Sequence, residues 1–290
     1  MSHQYKKSYP KSVDKYVYTQ NLFVRYNISM AVSLLTYNTL FNNAVQKFDE
    51  LINVYHPDFI CLQEALTDDK SIQKIEKFGY KMADYSNSFV KFGHIYGVIT
   101  FYNPRIFSYQ DSFKLNLGTN IGEYFFYFLR IILGYNQPKT ILETDFTHKL
   151  SKKKISICNV HLYVIGSNEL RIGHINKVLK SINLAKKERL VMVGDFNYFP
   201  YKRRGLEKMM AKYGLKEATS NIRQTMKFTK DGKFEKYNLF QRLTLPFVNK
   251  FIAKQIKTDY SFYRGLKLIK TERIESQTSD HYPIISTFNI

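Results

Sequence analysis

Six stretches of this sequence carry, at the end of an apolar run, a side chain that can hold a metal ion, a proton or a phosphate. Asn38 closes Leu34-Leu35-Thr36-Tyr37, and Gln63-Glu64 closes Phe59-Ile60-Cys61-Leu62. His161 lies near the end of Lys154–Leu162, and Asp195 and Asn197 follow Leu190-Val191-Met192-Val193-Gly194. Asp259 heads Tyr260-Ser261-Phe262, and Asp280-His281 precede Tyr282–Phe288. Alone, an acid after a strand is most often a solvated turn or a helix cap. As a set, these tips can meet on one rim if the strands are neighbours. In an extended segment Asp195 and Asn197 point to the same side. Carboxylates gathered this way repel one another unless a proton or cation intervenes. A hard divalent ion with oxygen ligands, Mg²⁺ or Mn²⁺, resolves that repulsion. Such an ion polarises a phosphoryl oxygen and helps form a nucleophilic hydroxide. A histidine beside a carboxylate moves protons or stabilises charge.

The elements that must position these groups are legible from periodicity. Ala31–Asn38 reads as a mostly apolar strand. Ala44, Val45, Phe48, Leu51, Ile52 and Tyr55 fall at helical spacing, and Pro57 closes that helix. Phe59–Leu62 is a short continuous apolar run, the pattern of a strand buried on both faces. Gly97–Tyr102, Lys154–Leu162, Leu190–Val193, Thr258–Phe262 and Tyr282–Phe288 are further strands. Ile172, Ile175, Val178, Leu179 and Ile182 make one helical stripe. Strands and helices mix without strict alternation, which points to sheets in the centre and helices outside. No internal repeat and no low-complexity linker appears. The chain reads as an N-terminal tail or irregular segment over 1–28 and one domain over 29–290.

The ordered set Leu-Thr-Tyr-Asn38, Ile-Cys-Leu-Gln63-Glu64, Asn159-Val-His161-Leu, Gly194-Asp195-Phe-Asn197, Thr258-Asp259-Tyr and Ser279-Asp280-His281-Tyr-Pro resembles the endonuclease/exonuclease/phosphatase (DNase-I-like) superfamily. Gly-Asp-x-Asn or Ser-Asp-His alone is weak; six motifs in order over residues 30–290 are not. The resemblance implies a four-layered α/β sandwich, two packed mixed β-sheets flanked by helices, with the site at one end. It implies a Mg²⁺-dependent phosphodiesterase in which Glu64 is the main metal ligand, Asn38 assists and Asp280 sits beside the metal. Asp195 orients or deprotonates the attacking water, and Asn197 holds the phosphate or that water. His161 binds a phosphate oxygen, His281 contacts the scissile phosphate, and Asp259 fixes the His281 imidazole. Arg171, ten residues after His161, is a phosphate-contact candidate. Related sequences often carry Gln three positions after such an Arg, and here that position is His174.

Departures from the superfamily's branches narrow the substrate. Abasic-site endonucleases usually carry Asp two positions after the first Asn, where this chain has Leu40. They also place a Tyr in an Asn-x-Tyr motif, where this chain has Asn159-Val160-His161. The Asn-x-His-Leu form is closer to DNase-I-like nucleases, tyrosyl-DNA phosphodiesterases, sphingomyelinases and phosphoinositide phosphatases.

Composition bounds the partner. The 290 residues carry 44 Lys+Arg and 24 Asp+Glu, a net charge of +20. Such a surface is drawn to polyanions, although an AT-rich genome would also encode this Lys, Asn, Ile, Tyr and Phe bias. Nucleic acid is the first substrate class implied, cleaved by activated water. A sphingolipid or anionic phospholipid at a membrane surface is the alternative. Two segments bear on that choice. Residues 121–133 are apolar nearly all round, either a buried core element or a segment that dips into a membrane. Residues 239–256 combine an apolar stripe with Arg242, Lys250 and Lys254, as an outer helix or a membrane-surface helix would. Apolar residues are 44% of the chain, enough for a sizeable core. Cys61 and Cys158 are too few for a disulfide framework or a thiolate zinc site. No secretory signal and no run of about 18 apolar residues is present, so the sequence points to the cytoplasm or nucleus.

Overall fold

A computed structural model describes residues 31–117, 123–125, 128, 139–163, 166–199, 201–227, 256–276 and 278–290. The expected tail over 1–28 lies outside them, as does the 239–256 segment except for Ile256. Of 121–133, Glu123, Tyr124, Phe125 and Phe128 are described.

Twelve strands and four helices of eight residues or more are found among the described residues. In chain order they are β1 (Ala31–Asn38), α1 (Phe48–Tyr55), β2 (Phe59–Leu66), α2 (Asp69–Glu76), β3 (Lys81–Lys91), β4 (His94–Tyr102) and β5 (Phe107–Asn116). Then come β6 (Thr140–His148), β7 (Lys154–His161), α3 (Asn168–Ser181), β8 (Leu190–Asp195), α4 (Arg203–Lys212), β9 (Lys216–Glu217), β10 (Asp259–Arg264), β11 (Lys267–Arg273) and β12 (Ile284–Asn289). The strands form two six-stranded mixed sheets, β11-β12-β1-β2-β4-β3 and β5-β6-β7-β8-β10-β9. Each has one parallel pair at its centre, β1/β2 and β7/β8, bridged by a helical crossover, and antiparallel strands outside it.

Three apolar clusters account for the layers. Val32, Leu34, Phe59, Cys61, Ile155, Ile157, Val191 and Val193 pack between the sheets. Their sequence neighbours point the other way: Leu35, Ile60 and Leu62 meet Phe48, Leu51 and Ile52 of α1. Cys158, Val160, Leu190 and Met192 meet Ile175, Val178 and Leu179 of α3. The period-two alternation of each central strand thus feeds an inner and an outer core, which is why these strands read as continuous apolar runs. The order is helix, sheet, sheet, helix, the four-layered α/β sandwich expected from the motifs. The helix expected over 44–55 divides into a 3₁₀ segment, Asn43–Lys47, and α1. α3 starts where the Ser167 side chain accepts a hydrogen bond from the Leu170 N–H at 3.3 Å.

Candidate active site

On every central strand the inward-facing positions change from apolar to polar toward one end. On β1, Val32 and Leu34 give way to Thr36 and Asn38; on β2, Phe59 and Cys61 give way to Gln63. On β7, Ile155 and Ile157 give way to Asn159 and His161; on β8, Val191 and Val193 give way to Asp195. All are C-terminal ends of the two parallel pairs, and all are buried. β10 runs antiparallel to β8, so its first residue, Asp259, lies opposite Asp195. The polar end of the inter-sheet layer is therefore built by topology from five strands.

Asp195 is the hub. Its Oδ1 accepts from the Asn197 backbone N–H at 2.9 Å, and its Oδ2 accepts from Asn197 Nδ2 at 3.0 Å and Asn38 Nδ2 at 3.1 Å. His161 Nε2 and His281 Nε2 stand 3.7 and 3.8 Å from the same Oδ2. Gly194 makes this approach feasible: a Cβ there would lie 2.0 Å from the Val160 carbonyl oxygen, and its φ is +132°. Asn197 reaches Asp195 by a left-handed backbone, φ 48°, beyond the strand end. The two side chains thus converge through a turn, and the extended alternation expected for them does not apply. Asn197 Nδ2 also donates to the Leu162 carbonyl at 2.7 Å, so both amide protons hold the loop and the carboxylate.

Glu64 breaks its strand. By alternation it would face α1, but a bulge between Leu62 and Ala65 and a φ of 53° turn it toward the rim. Its Oε1 lies 3.6 Å from His161 Nε2, too far for a hydrogen bond, and its Oε2 is buried with no hydrogen-bond partner. Burial first, then the Asp280 and Asp195 carboxylates, raise its carboxyl to about 8. An orphaned buried oxygen among like charges fits a hard cation. Asn38 Oδ1 accepts from the Leu40 N–H at 3.1 Å and keeps a second lone pair. Asp280, half-buried with its Oδ1 3.3 Å from Ser279 Oγ, is the third candidate oxygen ligand.

The two histidines are set oppositely. His161 is fully buried, neither ring nitrogen has a hydrogen-bond partner, and burial lowers its pKa to about 4. It is neutral at pH 7, with a ring N–H available to an incoming oxygen. Burial also works against the His281 cation, but Asp259, Asp195 and Asp280 outweigh it and raise the pKa well above the usual histidine range. Its Nδ1 lies 2.8 Å from Asp259 Oδ2, which also accepts from Thr258 Oγ1 at 3.0 Å. Asp195, Asp259 and His281 offer ligand atoms all within 4.8 Å of one another. His281 Nδ1 in this trio is engaged by Asp259, whereas the Glu64 Oε2 oxygen has no hydrogen-bond partner.

Arg171 has a different environment. Its fully buried guanidinium donates to the carbonyls of Tyr163 at 3.3 Å and Gly166 at 2.8 Å and to Asn168 Oδ1 at 3.2 Å. It also packs on the Phe199 ring at 4.8 Å. Arg171, the candidate for a phosphate contact, braces the turn after β7. His174 likewise bonds Glu123, Nε2 to Oε1 at 2.8 Å.

Sequence reasoning missed several supports. Gln63 Nε2 donates to Asn159 Oδ1 at 2.7 Å, and Asn159 Nδ2 donates to the Leu62 and Ile99 carbonyls, bolting the two sheets together beneath the site. Their signal was a polar residue at an inward position of an apolar strand. Ser279 Oγ donates to the Asn38 carbonyl at 2.8 Å and accepts from the His281 N–H at 3.1 Å, linking two motifs. Thr225 Oγ1 accepts from the Thr258 and Asp259 N–H groups; nothing in its sequence context marks it.

This fold and rim define a phosphoester hydrolase. The chain belongs to the endonuclease/exonuclease/phosphatase family, whose family model matches residues 35–281. Among solved structures, it is similar to the human Nocturnin catalytic domain with bound sulfate at 17% identity and a TM-score of 0.64, covering 89% of this chain and 94% of that one. TDP2 of D. rerio complexed with single-strand DNA product is similar at 15% identity and a TM-score of 0.59, with 90% and 99% covered. A Bacteroides thetaiotaomicron family protein matches at 12% identity and a TM-score of 0.62, with 89% and 97% covered. No curated protein matches the sequence. No helix among the described residues is long and apolar enough to cross a membrane.

Proposed function

We propose that the protein is a metal-dependent phosphodiesterase that attacks phosphorus with an activated water. The observation that carries this reading is the pairing of an orphaned Glu64 oxygen with the Asp195–His281–Asp259 unit. Glu64, Asn38 and Asp280 would hold Mg²⁺ or Mn²⁺, which when bound polarises the phosphoryl oxygen and neutralises developing charge. Asp195, fixed by three N–H donors, orients the water and takes its proton. His281, cationic and held by Asp259, donates from Nε2 toward a phosphate oxygen. His161, neutral, donates a second hydrogen bond to the phosphate. Asn197 positions Asp195, and Arg171 shapes the loop.

Nucleic acid is the substrate class favoured by the charge of +20. It is also what TDP2, a neighbour in fold, holds in its structure. A phospholipid headgroup is the second reading, favoured by apolar side chains on the rim. The test is hydrolysis, with Mg²⁺ or Mn²⁺, of single-stranded DNA, RNA, plasmid, sphingomyelin and phosphoinositide at low salt. Turnover lost with chelator and in His281→Ala is expected. Turnover that survives both would remove the assigned roles, and none on any substrate would remove the reading.

A further inference from the structure

The mouth of the site is flanked by an apolar projection that the chemistry above does not use. β3 and β4 form a hairpin whose register runs Phe89↔Tyr96, Val90↔Ile95 and Lys91↔His94 around a Phe92-Gly93 turn. It stands on the rim: the Phe89 ring lies edge-on to His161 with centroids 6.5 Å apart. Ser88 Oγ donates to Thr140 Oγ1 at 2.6 Å, and Thr140 pairs with His161 in the neighbouring sheet. From the loop after Asn38, Phe41 packs edge-on against Phe89, Phe92 and Tyr96, and the Lys91 ammonium lies 3.8 Å from its ring centre.

Phe92 has φ 52° and Gly93 φ 75°, a two-residue turn left-handed at both positions. Asn or Asp is the easy first residue of such a turn, and a bulky aromatic is costly there. Phe92 is nevertheless held at the apex, 70% exposed, with Val90 at 68% and Ile95 at 48% beside it. A second set of exposed rings follows Glu123 in the sequence. Glu123 is fully buried, bonded to Lys139 and His174, and His174 packs edge-on to Tyr163, two residues beyond His161. Tyr124, Phe125 and Phe128 are 60%, 71% and 66% exposed.

We propose that Val90, Phe92 and Ile95 form a lipid-docking tip, which seats the active-site mouth on an anionic bilayer. Clustered exposed apolar side chains mark an interaction surface. The charge of the chain, with Lys91 at the hairpin tip, complements an anionic lipid surface and not a neutral apolar partner. Nucleobase stacking fits less well. Val90 and Ile95 are aliphatic and lie on the hairpin face opposite Phe89 and Tyr96, so a base held beside His161 cannot reach them. The docking rests on the hydrolase reading only for what it delivers to the site.

The chain has no tryptophan, so Phe92→Trp creates a single reporter. Its emission should shift to the blue on addition of phosphatidylcholine vesicles containing phosphatidylglycerol. Ile269→Trp, on exposed β11 far from the rim, should show no shift. The combined Val90→Ser, Phe92→Ser and Ile95→Ser variant should lose about tenfold or more in vesicle partitioning. It should hydrolyse a water-soluble aryl phosphodiester as the parent does. An unshifted Phe92→Trp emission, or a triple variant that partitions like the parent, overturns the proposal. Loss of oligonucleotide affinity in the triple variant with vesicle partitioning intact overturns it in favour of base contacts. Vesicle docking without cleavage of any diester leaves the rim standing and removes the hydrolase reading instead.

Discussion

The two sheets are built on one plan, and in the proposed function they do different chemistry. Position for position, β11-β12-β1-β2-β4-β3 corresponds to β5-β6-β7-β8-β10-β9, with a parallel pair and its crossover helix at the centre of each. Both parallel pairs end on the shared rim. The first sheet presents Glu64, whose Oε2 has no hydrogen-bond partner. The second presents Asp195, which accepts three hydrogen bonds. An under-satisfied carboxylate invites a cation, whereas a fully oriented one is prepared to aim a water and take its proton. The shared plan supplies convergence, and in the proposed function the side chains placed on it divide the labour. The second difference lies at the margins. β3 and β4 run eleven and nine residues to an apolar tip, while the corresponding β9 has two residues.

The division of labour breaks most sharply at the two acids. Asp195→Asn should lower kcat by roughly 10²–10⁴-fold while leaving divalent-cation binding nearly unchanged. Glu64→Gln should abolish that binding in calorimetric titration and activity with it. If the two variants lose cation binding alike, the sheets do not divide the chemistry as argued.

A finer measure uses the proton on Glu64. In the cation-free protein its carboxyl is raised to about 8, chiefly by burial. At pH 7 it therefore holds a proton, which a bound cation must displace. Cation affinity should rise about tenfold per pH unit up to about pH 8 and then level off. Calorimetry in buffers of different ionisation enthalpy should find close to one proton released at pH 7. No release would mean that Glu64 is not the ligand.

Much of this was legible in the sequence. Apolar runs ending in Asn38, Glu64, His161 and Asp195 became β1, β2, β7 and β8, because a strand buried on both faces announces itself by composition. β3, β5, β6, β9 and β11 were not seen; charged and hydroxyl side chains interrupt any apolar run in them, even in the mostly buried β6. The duplication was invisible because the halves share no sequence repeat and the chain's end supplies β11 and β12 to the first half. The turning of Glu64 and Asn197 into the site was also hidden. Asn tolerates the left-handed region, which gives Asn197 a weak local signal, but a left-handed φ at Glu64 is imposed by tertiary packing and has none.

The opposite end of β2 provides a smaller contrast. Asp58, just before the strand, is buried and accepts from the Ser33 N–H at 2.8 Å and Ser33 Oγ at 3.0 Å. Burial raises its pKa to about 6 despite those bonds. A carboxyl with a folded pKa above its unfolded value near 3.9 binds protons more tightly when folded. Its contribution is therefore favourable at low pH and is lost as pH rises from about 4 to about 6. The stability difference between Asp58→Asn and the parent should move by about 3 kcal/mol toward the variant across that window. Urea denaturation at pH 4 and pH 7 reads this, and a flat difference would show that Asp58 is ordinary. Here, unlike at Glu64, adding a divalent cation should change nothing.

The smallest effect concerns the bolt between the halves. Gln63→Leu removes the donor to Asn159 Oδ1 and leaves that buried oxygen unpaired, at a cost of about 1–3 kcal/mol. Asn159→Leu alone removes the donor to two carbonyls and the acceptor for Gln63. With both replaced, no buried side-chain amide is left half-satisfied, so the double variant should lose less than the sum of the singles. The sheets would then be joined by apolar packing alone at this level, as they are one layer deeper at Cys61 and Ile157. Denaturation of the four proteins measures the coupling. If the losses simply add, Gln63 and Asn159 stabilise their own sheets separately, and the halves are held together by the apolar layer and the site residues above it.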